Sequence, residues 1–251
     1  MSESHYVQNL NSLFRRILRP FVSDLPIYTN APNSLELGDD HQAVLERHEV
    51  PGVEGAFVVT GVLTREECVR VAAMTEAMGY ADPPLSIGRN VRANSNVEWT
   101  VDDTVIGPIF ERCRHLLPQH VEGGDLCGVN VRWRCYRYNQ NEIFRPHIDA
   151  AWPGSGISPE GDFVFDFYGD RRSQLTFLLY LNDDFEGGHT SFFLPKKEGE
   201  KEHVKVCSVK VPQGGVLCFY HGDHHLSQWH EGSLVTKGTK YVIRSEVLYT
   251  I

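Results

Sequence analysis

From residue 129 onward, apolar and polar positions alternate along the chain. In VNVRWRCYRY (129–138), Val129, Val131, Trp133, Cys135 and Arg137 fall on one face of a strand, and Asn130, Arg132, Arg134, Tyr136 and Tyr138 on the other. Further strand-like runs follow at QLTFLLYLN (174–182), HTSFFL (189–194), HVKVCSVKV (203–211), GVLCFY (215–220) and KYVIRSEVLYTI (240–251). Turn sequences such as DDFEGG and PQGG separate them. Six or more short strands at this spacing predict an antiparallel sandwich or jelly roll.

The upstream pattern is different. EGAFVVTGVLT (54–64) reads as a strand that hands over to a helix. Thr64 is placed as N-cap and Glu67 completes a capping box, with Leu63 and Cys68 as the hydrophobic staple. Cys68, Val71, Met74 and Met78 share one face, and Gly79 ends the helix. A second helical segment over 101–117 carries Val105, Ile109, Phe110, Cys113 and Leu117; it is expected to be interrupted at Pro108 and to end before Pro118. Leu10, Leu13, Phe14, Ile17 and Leu18 recur at helical spacing, which predicts a short helix packed on the domain, with an amphipathic transit peptide as the alternative. Residues 20–52, with Pro20, Pro26, Pro32 and Pro51, read as a loose connector. Helices followed by strands predict an α+β, mainly β chain in which the helices cover one face of the β core. The expected organisation is an N-terminal helix and connector over 1–53, then a single domain over 54–251 with its β core at about 129–250.

Composition narrows the class. At 251 residues, with 41% hydrophobic and 23% charged residues, the chain reads as an ordinary globular protein, and no apolar run has transmembrane length. A net charge of −9 without a Lys/Arg run argues against a groove that tracks nucleic acid phosphates. The six cysteines form no C-x-x-C pair, so a zinc knuckle is not expected and reduced thiols are. With no secretory h-region, the expected location is intracellular, in the cytoplasm.

Candidate chemistry enters at FRPHIDAAWPG (144–154), where His147 and Asp149 stand two apart. If both are metal ligands, a third must lie downstream, among His189, His203, His221, His224, His225 and His230. HGDHH (221–225) reads as a solvated loop. His230 is followed by a turn at Gly238 and a strand from Lys240, on which Lys240, Val242 and Arg244 share one face.

Three blocks, YRYNQNEIFRPHID, LTFLLYLNDDFEGGHTSFF and HEGSLVTKGTKY, resemble the Fe(II)/2-oxoglutarate-dependent dioxygenases, in particular their prolyl-4-hydroxylase-like branch, over roughly residues 131–249. The resemblance implies a double-stranded β-helix and an iron held by His147, Asp149 and His230. Two imidazoles and one carboxylate on one face leave three positions open, the arrangement non-haem Fe(II) oxygenases use. The family then implies 2-oxoglutarate and O2 in the open positions, ascorbate as reductant, and Lys240 on the distal carboxylate of 2-oxoglutarate. Arg244, on the same strand face, is the rival for that carboxylate and offers a fork where Lys240 offers a point charge. Tyr138 and Tyr180 match family positions that reach the cosubstrate, with core tyrosines as the alternative. Thr176 and Thr190 are possible wall residues, and Arg92 a surface arginine that could meet substrate. The aromatic insertion AAWPGSGISPEGDFVFDFYGDRRS (150–173) reads equally as a lid over the metal or as an edge strand tucking its aromatics inward.

The resemblance implies hydroxylation of an unactivated C–H bond, first of a prolyl residue in a protein or peptide, with release of succinate and CO2. Alternatives are a small molecule or free amino acid as substrate, or a jelly-roll binding module that has lost catalysis. A nucleic acid partner and a membrane are not expected.

Overall fold

The alternation along the strand Arg132–Tyr138 is realised as two packing environments. Trp133 and Cys135 are buried in one apolar cluster, Tyr136 and Tyr138 in another. The computed structural model describes residues 10, 12–17, 26–38, 43–82, 91–195 and 204–251. In it, Arg132–Tyr138 lies within the larger of two sheets. Ser95–Thr100, Arg132–Tyr138, Lys240–Thr250, Arg171–Tyr180, Val216–Tyr220 and Phe57–Thr60 are successive antiparallel neighbours there. The smaller sheet runs Val204–Val209, Thr190–Pro195, Trp229–Gly232, Ile143–His147, Arg92–Ala93. Tyr136, Tyr138, Leu178, Tyr180, Leu217, Phe219 and Val242 of the larger sheet cluster with Phe192 of the smaller one. The fold is therefore the predicted jelly roll, a mainly β double-stranded helix.

The other face of the larger sheet is covered by two helices, α1 (Arg65–Met78) and α2 (Asp103–Cys113). Their Cys68, Val71, Met74, Met78, Val105 and Ile109 join Trp99, Trp133, Phe177 and Ile243 in the largest apolar cluster. The capping box at Thr64 is present: Glu67 N–H donates to Thr64 Oγ1 at 3.2 Å and Thr64 N–H to Glu67 Oε2 at 2.8 Å. The same carboxylate receives both terminal nitrogens of Arg112, at 2.8 and 2.9 Å, so one buried glutamate caps α1 and ties it to α2. Helix α2 is not interrupted at Pro108, as expected from sequence, but runs through it. The proline removes one backbone donor, and the buried residues Val105, Ile106, Ile109 and Cys113 hold the helix on the sheet.

Three other expectations are corrected. Leu10 is helical, but Phe14–Ile17 is a strand paired with Ile27–Asn30, which in turn runs parallel to Ser95–Thr100 (Leu18 lies outside the described residues). Pairing to an available sheet edge overrides the helical spacing. The connector over 20–52 likewise contributes strands, Ile27–Asn30 and the exposed Glu46–Glu49, whose sequence ERHE gives no apolar signal. The run 129–138 is broken: Gly124–Val129 and Arg132–Tyr138 are separate strands. At the break, Asn130 N–H donates to Glu246 O at 2.8 Å, and its side-chain amide reaches Glu246 Oε2 and Pro153 O, each at 3.2 Å.

The 150–173 insertion holds a short hairpin, Gly156–Ile157 with Phe163–Val164. Phe163 is buried with Ile17 and Ile27 in a small third cluster, whereas Phe165, Phe167 and Tyr168 are more than 40% exposed. Of the five aromatics, Phe163 thus tucks inward, as in the edge-strand reading, Trp152 is half-buried and three face out.

Candidate active site

His147 and His230 lie directly opposite each other on neighbouring antiparallel strands, which brings their ring centroids to 4.3 Å. Each ring donates its Nδ1–H to a backbone carbonyl two residues earlier: His147 to Arg145 O at 2.8 Å, His230 to Gln228 O at 3.1 Å. Both Nε2 lone pairs are thereby left free, the tautomer a metal ligand requires. They converge on Asp149, at 3.6 Å from Oδ1 for His147 and 3.5 Å from Oδ2 for His230. Phe144 stacks on the His147 ring at 3.6 Å, and Phe219 packs against His230 at 4.5 Å. The ligand atoms of this trio all lie within 4.8 Å of one another, close enough to hold one ion. A second such trio, Glu122, His224 and His225, occurs at the surface. None of the histidines of 221–225 is grouped with His147 and Asp149 as a ligand.

Asp149 is buried and held from three sides. Its backbone carbonyl accepts from Gly222 N–H at 2.8 Å, its Oδ2 accepts from Thr176 Oγ1 at 2.7 Å, and Arg244 Nε stands 3.0 Å from the same oxygen. Burial alone would raise its pKa, but the Arg244 guanidinium and the His230 ring outweigh that and hold the carboxyl well below its usual range. Burial keeps His147 neutral by lowering its pKa.

Behind Asp149 runs a hydrogen-bond chain with fixed polarity. Trp152 N–H donates to Ser173 Oγ at 2.8 Å, Ser173 Oγ meets His221 Nε2 at 2.9 Å, and His221 Nδ1 meets Thr176 Oγ1 at 2.9 Å. Because Thr176 spends its proton on Asp149, His221 must donate from Nδ1 and accept from Ser173 at Nε2. Burial, reinforced by Arg244, lowers the His221 pKa to about 4, so the ring stays neutral. His221 is therefore a buried supporting residue, not part of a solvated loop. Its placement arises from Val216–Tyr220 pairing with Arg171–Tyr180, a register that HGDHH does not disclose.

A narrow cavity opens beside the trio; Tyr136, Tyr138, Phe144, Leu178 and Val242 give it apolar wall, and Thr190, Glu231, Lys240 and Arg244 are its polar side chains besides His147, Asp149 and His230. Lys240 is 3% exposed; Nζ donates to Gly188 O at 2.7 Å and lies 4.8 Å from the Tyr180 ring centre and 5.6 Å from that of Tyr138. No carboxylate pairs with it among the described residues, and burial lowers its pKa to about 7. A buried ammonium without a counter-ion suits the far end of a dicarboxylate. Tyr138 faces the cavity, while the Tyr180 hydroxyl is engaged with Thr190 Oγ1 at 2.6 Å. Arg92 is half-buried, lying over the rings of Tyr136 and Phe144 at 4.3 and 4.8 Å rather than free at the surface. The residues named from sequence thus converge. Tyr136, Phe144 and the His221–Thr176 link are additions the sequence reading did not assign.

The chain is similar to known proteins in sequence and in fold. Residues 133–245 match the model of the 2OG-Fe(II) oxygenase superfamily. A protein of Acanthamoeba polyphaga mimivirus, assigned by inference as a prolyl 4-hydroxylase, is 26% identical over 193 residues, covering 74% of this chain and 71% of that protein. Among solved structures, the viral collagen prolyl hydroxylase of Paramecium Bursaria Chlorella virus-1, as a 2-oxoglutarate complex, superposes with a TM-score of 0.50 at 14% identity, covering 80% of this chain and 99% of that one. A prolyl hydroxylase of Trichoplax adhaerens, in complex with a hypoxia inducible factor peptide fragment, gives a TM-score of 0.50 at 15% identity, covering 78% and 83%.

Proposed function

We propose that this chain, a member of the 2OG-Fe(II) oxygenase superfamily and so a 2-oxoglutarate-dependent non-haem iron dioxygenase, hydroxylates an unactivated C–H bond of a prolyl residue in a protein or peptide. The observation that supports it most is one cavity holding three convergent ligand atoms and, in its lining, a buried lysine that pairs with no carboxylate among the described residues. His147, Asp149 and His230 would hold Fe(II), and Lys240 the distal carboxylate of 2-oxoglutarate. Fe(II) and 2-oxoglutarate, when bound, supply with O2 the oxidising chemistry that inserts one oxygen atom into the C–H bond and leaves succinate and CO2.

This chain's residues do the positioning. Backbone carbonyls of Arg145 and Gln228 aim both Nε2 atoms, and Thr176 fixes one oxygen of Asp149. Tyr136, Phe144, Leu178 and Val242 give the cavity apolar walls that limit water. The prolyl preference rests on likeness to the mimivirus protein and to the two prolyl hydroxylase structures, one of them with a bound peptide.

The test has two stages. Protein supplied with Fe(II), ascorbate as reductant, O2 and 2-oxoglutarate should form succinate slowly without added substrate, and His147→Ala should abolish this. Proline-containing peptides, and free proline in parallel, are then screened for the mass gain of one oxygen atom. Absence of succinate under every condition refutes the dioxygenase reading. Oxygen gain on free proline alone moves the substrate to a free amino acid.

A further inference from the structure

The larger sheet carries a charge pattern toward the metal side that the metal and cosubstrate do not use. Arg244 and Arg134 are direct cross-strand partners on its inner face, where like charges opposite one another are destabilising. Both are largely buried, with side chains 10% and 11% exposed. Glu246, fully buried, pairs with Arg134 and lies 3.9 Å from Arg244 Nη2. Arg132 and Glu98 sit beside them, 3.8 Å apart. Among the described residues, Arg134 and Arg244 thus share one carboxylate, Glu246, and the other carboxylate beside Arg244, Asp149, also faces His147 and His230. Arg92, over the Tyr136 ring, adds a further positive charge at the margin.

Hydrogen bonding shows the same imbalance. Arg244 Nε and Nη2, Arg134 Nε, Asn96 Nδ2 and Trp152 Nε1 are buried donors that make no hydrogen bond; Arg244 Nε is near Asp149 but poorly aligned with it. Asn96 is the cross-strand partner of Tyr136, and the Arg134 guanidinium lies 5.4 Å from the Trp152 ring centre, so these donors belong to one wall. Buried donors without acceptors are costly and call for a partner. Neither Lys240 nor its carboxylate can be that partner. Four residues along the strand separate Lys240 from Arg244, roughly 13 Å at ~3.3 Å per residue.

We propose that the substrate bears a carboxylate near the oxidised carbon, and that it docks on Arg244, which lines the cavity four residues along the strand from Lys240, with the charge of Arg134 beside it on the neighbouring strand. This rests on the dioxygenase reading and specifies its substrate. The anion supplies the acceptors and the negative charge that the wall lacks. The Nε and Nη2 edge of Arg244 can take it as a fork. The carboxylate can come from an acidic side chain beside the proline in a peptide or from the α-carboxylate of a free amino acid.

Binding is measured without turnover, on protein loaded with Mn(II) in place of Fe(II) and saturated with 2-oxoglutarate. Two isosteric pairs are titrated: acetyl-Ala-Pro-Asp-Ala-amide against its Asn analogue, and L-proline against L-prolinamide. At least one acid should bind about tenfold or more tightly than its neutral partner, a difference of ~1.4 kcal/mol. The pair that discriminates identifies the source of the carboxylate. In Arg244→Gln, and separately in Arg134→Gln, the ratio should fall toward unity. Equal binding within both pairs, no binding by either acid, or a ratio that survives both substitutions overturns the proposal. So does a loss of 2-oxoglutarate affinity in Arg244→Gln with the ratio unchanged, because Arg244 would then serve the cosubstrate. Succinate formation without substrate reports on the dioxygenase reading independently of all these outcomes.

Discussion

Replacing Lys240 by Met keeps an unbranched stem in the core and removes the ammonium. In the protein without cosubstrate, that ammonium makes one hydrogen bond among the described residues, to Gly188 O at 2.7 Å, and the residue is 3% exposed. Burial takes its pKa from 10.5 to about 7, a charge destabilised by about 5 kcal/mol at ~1.4 kcal/mol per pH unit. The distal carboxylate of 2-oxoglutarate would supply the missing counter-charge. Losing one partner of such a desolvated pair costs on the order of 2–5 kcal/mol, a ~30- to 5,000-fold weaker Kd. Lys240→Met should therefore bind 2-oxoglutarate weakly by calorimetry on the Mn(II) form, while its Tm at pH 6 without 2-oxoglutarate is equal to or above that of the parent. The Mn(II) affinity should stay within about threefold, because Lys240 touches none of the three ligands. An unchanged Kd for 2-oxoglutarate, or a lowered Tm with an unchanged Kd, refutes the reasoning and returns Lys240 to a structural role.

The same lysine sets a pH dependence. Its folded pKa of about 7 lies below the ordinary 10.5, so between those values the unfolded chain holds a proton that the fold has released. Stability contributed at this position thus rises with pH across that window, and the penalty is full below it. Urea melts at pH 6, 8 and 9.5 should show the advantage of Lys240→Met over the parent shrinking as pH rises; a constant advantage contradicts the assignment. Thr176→Val should weaken Mn(II) binding ~10- to 100-fold, whereas Thr176→Ser, which keeps the donor to Asp149, should largely restore it; equal affinities in the two variants would dismiss the hydrogen-bond chain. Glu67→Ala removes the side-chain half of the α1 capping box, the bond from Thr64 N–H, and strands Arg112, and should lower stability by ~3–5 kcal/mol in denaturant melts without altering the Mn(II) affinity. A loss below 1 kcal/mol would show that the pair is replaced by solvent.

What could be read from sequence followed local periodicity. The two faces of Arg132–Tyr138, the capping box at Thr64 and the strand placing Lys240 and Arg244 on one side all depend on residues two to four apart, and the structure has them so. What escaped depends on pairing between distant segments. Phe14–Ile17 becomes a strand because Ile27–Asn30 offers an edge, and nothing within residues 10–18 carries that information. His221 looks like a loop residue beside Gly222 and Asp223, yet the antiparallel register to Arg171–Tyr180 inserts it between Ser173 and Thr176. Thr176 itself is one threonine in an apolar run; its role exists only because Asp149 crosses over it.

Period-two alternation put Lys240 and Arg244 on one strand face and could not divide the work between them. Their surroundings do. Around Lys240 stand the rings of Tyr138, Tyr180 and Phe185 and one carbonyl, so an arriving carboxylate meets a cation that pairs with no anion among the described residues. Arg244 stands among charges, 3.0 Å from Asp149, 3.9 Å from Glu246 and opposite Arg134. Any anion bound there must share its cation with a side chain that also faces the metal position. A cosubstrate that must bind in the same way in every turnover is better served by the isolated ammonium. An arginine coupled to Asp149 on one side and to an acceptor-poor wall on the other is suited to sensing what occupies that wall.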